Sequence, residues 1–143
     1  MTKRFRRGSC GKVLFPLMIA ILVLSLSGTG MAGILLSKGA VFQGETVDNK
    51  GTRFPATIRI THIKESKGDF SGELSWLSLD AVHKIEGRIE GRTVVFKETE
   101  FIKKGKAILN CEYALIFDGQ TLQGRWINES GKDFGTAQFK LQR

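Results

Sequence analysis

The sequence predicts an all-β protein: an eight-stranded antiparallel up-and-down β-barrel over residues 37–143, preceded by an N-terminal hydrophobic signal or anchor helix over residues 1–36. Three observations lead there. From Ser37 onward apolar and polar residues alternate with a period of two, the pattern of half-buried strands. Turn-forming residues break that alternation at hairpin-length intervals, leaving eight short runs and no amphipathic helix. The phrase apolar-x-Gly-x-apolar recurs at Phe70-Ser71-Gly72-Glu73-Leu74, Ile85-Glu86-Gly87-Arg88-Ile89 and Leu122-Gln123-Gly124-Arg125-Trp126, with a looser copy at Phe42-Gln43-Gly44-Glu45-Thr46. Eight strands close only when the sheet is strongly coiled, and glycine on the inner face relieves crowding where strands bend.

Taken in order, residues 1–12 are basic and free of acids, and Val13 to Leu24 is an unbroken apolar run. That pairing is an export signal. Two fates stand side by side. Small residues at Ser25/Ser27 or Gly30/Ala32 suit signal peptidase, whereas the uncharged stretch Val13 to Leu36 is long enough for a membrane span of about 20 residues. In either case the positive flank stays inside, so the domain from Lys38 onward is expected to be extracytoplasmic: periplasmic, secreted or membrane-anchored. Lipidation is excluded because Cys10 precedes the apolar run.

The first strand is expected at Ala40–Thr46, ended by the turn formers Asp48-Asn49-Lys50-Gly51. Arg53–Ile63 alternates most clearly, with Phe54, Ala56, Ile58, Ile60 and His62 on one face and Pro55 marking an edge or bulge. Phe70–Trp76 follows. Val82–Glu90 carries His83, Ile85, Gly87 and Ile89 inward, and Gly91-Arg92 turns tightly into Thr93–Ile102, where Glu98 and Glu100 imply that the inner face ends or the register shifts. Lys103-Lys104-Gly105-Lys106 is a basic turn, Ala107–Phe117 the next strand, and Asp118-Gly119 a hairpin signal. Leu122–Ile127 and a closing run with Ala137, Phe139 and Leu141 inward complete the set.

The net charge of +8 is concentrated at the start: Lys3, Arg4, Arg6, Arg7 and Lys12 precede any acid, leaving 17 basic against 14 acidic residues, a balance of +3. Nucleic-acid binding needs a basic stripe interleaved with aromatics, and Lys103, Lys104 and Lys106 beside Phe101 are a single cluster diluted by Glu98 and Glu100. No nucleic-acid partner is expected. Cys10 and Cys111 flank the hydrophobic segment and are not expected to pair; Cys111 reads as a small core residue.

With the Gly-punctuated phrases, including Val41-Phe42-Gln43-Gly44-Glu45, the domain resembles the small lipocalin- and avidin-like (calycin) barrels, and exported bacterial barrel domains that reuse this strand. The resemblance spans roughly residues 38–143. It implies a closed barrel whose interior is filled or holds one small ligand.

Among candidate chemical groups, the histidines are His62 and His83, both placed inward by parity and without a third ligand, so neither metal nor cofactor is expected. Glu98 and Glu100 fall on one strand face about 6.6 Å apart at the backbone, a spacing compatible with a glycosidase pair. That hydrolase reading is the weakest of three. The leading one is a non-enzymatic module, without catalytic residues, binding a small apolar or amphipathic ligand between Trp76 and Trp126, with His83 or Tyr113 as polar anchor and Phe70 in the lining. The second is a structural or interaction module of the cell envelope with a filled core and an exposed apolar patch. Membrane contact would come through the N-terminal segment where it is retained.

Overall fold

The computed structural model describes residues 36–64 and 66–143; the expected signal or anchor over residues 1–36 lies outside them except for Leu36. The eight strands are β1 (Val41–Asp48), β2 (Arg53–Lys64), β3 (Asp69–Trp76), β4 (Ala81–Glu90), β5 (Thr93–Lys103), β6 (Cys111–Phe117), β7 (Thr121–Asn128) and β8 (Phe134–Leu141). Each pairs antiparallel with the next, and β1 pairs with β8, so the sheet is a closed up-and-down barrel. This is the architecture the alternation and turn spacing predict.

The glycine phrases place backbone against backbone. A Cβ on Gly124 would run into the carbonyl oxygen of Ala114 and lie 2.9 Å from the Leu115 Cα on β6; Gly72 meets the Arg59 carbonyl of β2 in the same way. Neither obstacle is a flexible side chain, so these glycines permit the close, coiled approach that closure requires. Neither lines the mouth cavity described below.

One end of the barrel is filled. Leu36, Phe42, Ile58, Ile60, Leu115, Phe117, Leu122 and Phe139 are buried, and Phe42 meets Phe117 edge to face with centroids 5.6 Å apart. Burying side chains of this size contributes roughly 1.5–3 kcal/mol each relative to exposure. Midway, Phe70 packs edge-on to Phe96, which stacks on Tyr113 at 4.5 Å. The other end, a mouth, is framed by the four turns between β1 and β2, β3 and β4, β5 and β6, and β7 and β8.

Two bulges overturn side-chain placements expected from strict alternation. In β2 the register with β3 shifts between Ile60 and His62, so Thr61 is the extra residue and His62 is exposed instead of facing inward. In β5, Ile85 pairs with Glu98 and Lys84 with Glu100, leaving Thr99 bulged. Glu98 therefore points into the barrel and is buried, while Glu100 lies on the outer face, 3.2 Å from the Lys84 ammonium. The two carboxyls do not share a face, which removes the geometry of a Glu98–Glu100 pair. At both bulges the threonine hydroxyl donates to a carbonyl of the neighbouring strand, Thr61 to Ser71 at 3.2 Å and Thr99 to Lys84 at 3.3 Å.

The expected strand from Ala107 starts four residues late, at Cys111. Asn110 takes a left-handed backbone (φ 82°), and residues 104–110 instead run along the mouth, tied by Lys106 N–H to the Leu79 carbonyl and by Glu129 N–H to the Asn110 carbonyl.

Candidate functional site

The mouth contains a cavity of about 260 Å³, lined mainly by apolar atoms. Its existence follows from how β5 and β6 part. Their pairing runs only from Thr93↔Ile116 to Lys97↔Glu112. At the next position the Cys111 N–H donates to Glu98 Oε2 at 3.2 Å. A side-chain carboxyl stands where a backbone carbonyl would have continued the ladder, and the strands separate around it.

Glu98 thus forms part of the cavity wall deep in the barrel, 3% exposed. Its Oε1 accepts the Tyr113 hydroxyl at 2.9 Å and lies 3.2 Å from His83 Nδ1. That same ring nitrogen lies 3.3 Å from the Trp76 indole N–H, which can only donate. A single imidazole nitrogen carries one lone pair or one proton, so Nδ1 serves Trp76 as acceptor or Glu98 as donor, not both together. His83 Nε2 and Trp126 Nε1 are buried without a hydrogen-bond partner. The network is therefore short of partners on two sides.

Burial, reinforced by the neighbouring charge of Glu98 and to a lesser extent Asp133, pushes the Cys111 thiol up to about 12. At neutral pH it is protonated and is not a nucleophile. Asn128 Nδ2 lies 3.7 Å from the Cys111 sulfur. Tyr113, fully enclosed, is raised well above the usual phenol value, first by burial and then by Glu98, and so remains a neutral donor. The set combines aromatic walls with a carboxyl that accepts hydrogen bonds and whose Oε2 carries one bond of known partner. Such a wall receives a hydrogen-bond donor attached to an apolar body.

Of the residues singled out from the sequence, Trp76, Tyr113 and Trp126 line this cavity. His83 stands behind them, fully buried between Trp76 and Phe101, and reaches the cavity through Glu98. Phe70 belongs to the middle layer against Phe96 and does not line the cavity. Glu98 itself, Thr46 and Phe54 also line it, and the turns bring charged groups to its edge: Asp48, Lys106 and Asp133, beside Ile108 of the β5–β6 loop. Val94, Phe96 and Glu98 share one parity in the sequence, which is the signal that marks Glu98 as inward. Among the described residues no group of three or more His, Cys, Asp or Glu is placed to hold a metal ion.

No family model, curated protein or solved structure matches this chain.

Proposed function

We propose that the protein is an exported, non-enzymatic barrel module that takes a small amphipathic ligand into its mouth, between Trp76 and Trp126, with the ligand's polar end toward Glu98 and Tyr113. The observation that carries this reading is the mouth cavity, with its two tryptophans and the buried Glu98. Its volume of about 260 Å³ lies just below the usual range for ligand pockets, roughly 300–1,000 Å³, and suits a small occupant. The buried polar and charged side chains are Thr46, His83, Thr93 and Glu98, with no lysine or arginine among them. A ligand ending in a hydroxyl or amine fits the Glu98 and Tyr113 end of the cavity, and the lysine that lines it, Lys106, is exposed on the β5–β6 loop at the opening. Export is supported by the basic, acid-free residues 1–12 ahead of an uncharged apolar run.

The chain has two tryptophans and both line the cavity, so intrinsic fluorescence reports on this site alone. Titration with a hydrophobic anilinonaphthalene fluorophore is expected to quench it saturably, and Trp126→Ala to weaken that binding. Absence of a saturable signal in the folded wild-type protein rules the reading out. The runner-up, an envelope docking module, draws on the filled closed end and on apolar residues exposed around the mouth; it predicts partner binding without pocket occupancy.

A further inference from the structure

Among the described residues, the large apolar side chains left exposed are Leu77, Phe101, Ile102, Ile108 and Phe134. All five belong to one end of the barrel. Leu77 begins the β3–β4 turn, Phe101 and Ile102 end β5, Ile108 lies in the β5–β6 loop and Phe134 opens β8. Leu77 is 84% exposed and Ile108 72%, although Ile108 also lines the cavity. The closed end has no comparable residue among those described. Exposed apolar side chains gathered at one opening are the kind of feature that marks an interaction surface.

Charge indicates what that surface is. The loop Phe101-Ile102-Lys103-Lys104-Gly105-Lys106-Ala107-Ile108 sets three lysines between apolar pairs. Glu98 and Glu100, which border it in the sequence, do not offset it: one is buried in the barrel and the other is held by Lys84. Lys103 pairs with Asp80 at 2.7 Å, whereas Lys104 and Lys106 are exposed and have no acidic partner within 4 Å among the described residues. Glu129 and Asp133 stand on the neighbouring β7–β8 turn together with Lys132, so the β5–β6 loop, with three lysines and no acid, is the most basic of the turns at the mouth. Apolar tips flanked by unpaired lysines match the boundary between anionic headgroups and acyl chains.

We infer that the mouth docks on an anionic lipid bilayer, with the β5–β6 loop leading: Ile102 and Ile108 enter the interface and Lys104 and Lys106 meet the headgroups. The cavity then opens onto the bilayer, and a ligand passes between membrane and barrel without crossing water. The lipid source of the ligand rests on the pocket reading above; the docking does not.

The test uses the full chain in a Cys10→Ser/Cys111→Ser background. A polarity-sensitive dye is placed at Ile108→Cys or, at the closed end, at Gln120→Cys, and protein-free vesicles are added. Vesicles of phosphatidylcholine mixed with phosphatidylglycerol are expected to shift the dye at position 108 to the blue, and brominated acyl chains to quench it, with neither effect at position 120. Lys104→Glu/Lys106→Glu is expected to lower partitioning by about thirtyfold or more, taking about fivefold for each basic side chain lost. A dye at 108 that stays solvent-like with anionic vesicles overturns the inference, as does equal or stronger quenching at 120 or a response indifferent to phosphatidylglycerol. Loss of insertion with tryptophan quenching by the fluorophore intact refutes docking alone. Insertion with no pocket signal refutes the pocket alone.

Discussion

Replacing Glu98 by alanine removes the acceptor for the Tyr113 hydroxyl at 2.9 Å and for the Cys111 N–H at 3.2 Å. Each buried donor left without a partner costs about 1–3 kcal/mol. Because the site borders a cavity that admits water, the expected total lies near the lower half of the combined range, about 2–4 kcal/mol. Tyr113→Phe leaves Glu98 with the Cys111 N–H and His83, and is expected to cost about 1–2 kcal/mol. In Glu98→Ala/Tyr113→Phe the orphaned hydroxyl is gone, so the double variant is expected to be about 1–2 kcal/mol more stable than the sum of the single changes implies. Urea unfolding followed by far-ultraviolet circular dichroism reads this directly. With a slope of about 2 kcal/mol/M, Glu98→Ala moves the midpoint down by roughly 1–2 M. Additivity within about 0.3 kcal/mol, or Glu98→Ala as stable as wild type, refutes the argument that Glu98 organises the mouth.

Three further outcomes follow from the same structure. In the Cys10→Ser protein, Cys111 is expected to react with iodoacetamide at pH 8 about a thousandfold more slowly when folded than in urea, since a thiol near 12 holds about three powers of ten less thiolate than an ordinary one; rates within tenfold contradict the burial of this thiol. Gly124→Ala forces a Cβ onto the Ala114 carbonyl and is expected to cost about 1–3 kcal/mol or more, against less than about 0.5 kcal/mol for exposed Gln123→Ala; equal urea midpoints for the two contradict the role given to that glycine. Asp118 accepts the backbone N–H groups of Thr121 and Gln120, at 2.7 and 2.8 Å, which hold its carboxyl below the usual range. Its native pKa lies below its unfolded one, so its contribution is complete above the unfolded value of about 3.9 and is lost as pH falls through the native value. Asp118→Asn is expected to flatten the acid limb of midpoint against pH, and an unchanged limb argues against this cap.

The barrel was legible in the sequence because its signals are local and repeat. Alternation marked the faces from Phe54 to Ile60 and from Phe70 to Trp76, and Gly91-Arg92 and Asp118-Gly119 marked their turns. The β2 bulge was not legible, because Thr61 looks like an ordinary outward residue; in β5 Glu98 and Glu100 signalled that the inner face ends or the register shifts, but that Thr99 is the displaced residue depends on the neighbouring strand. One displaced residue sends His62 outward, while His83 faces inward as its parity predicts, and another separates Glu98 from Glu100, so the His62 and Glu100 placements failed where the strand pattern held. The aromatic part of the candidate site was partly visible, since Trp76 and Trp126 end equivalent phrases and meet at one cavity. Of its polar part, Tyr113 and His83 were read as anchors, but the carboxyl that both approach was not. Glu98 supplies a side-chain acceptor to the Cys111 backbone, an interaction between residues 13 positions apart that no spacing rule encodes.

The most direct test of the binding account is the pair of indole N–H resonances in a ¹H–¹⁵N spectrum of the folded protein during titration with 1-octanol. The Trp76 N–H faces His83 at 3.3 Å and the Trp126 N–H has no partner, so the two signals report on opposite sides of the cavity. The account predicts that both shift saturably with one common dissociation constant. Two indole signals that stay in place while octanol perturbs only rim residues such as Leu77 and Phe134 would contradict it.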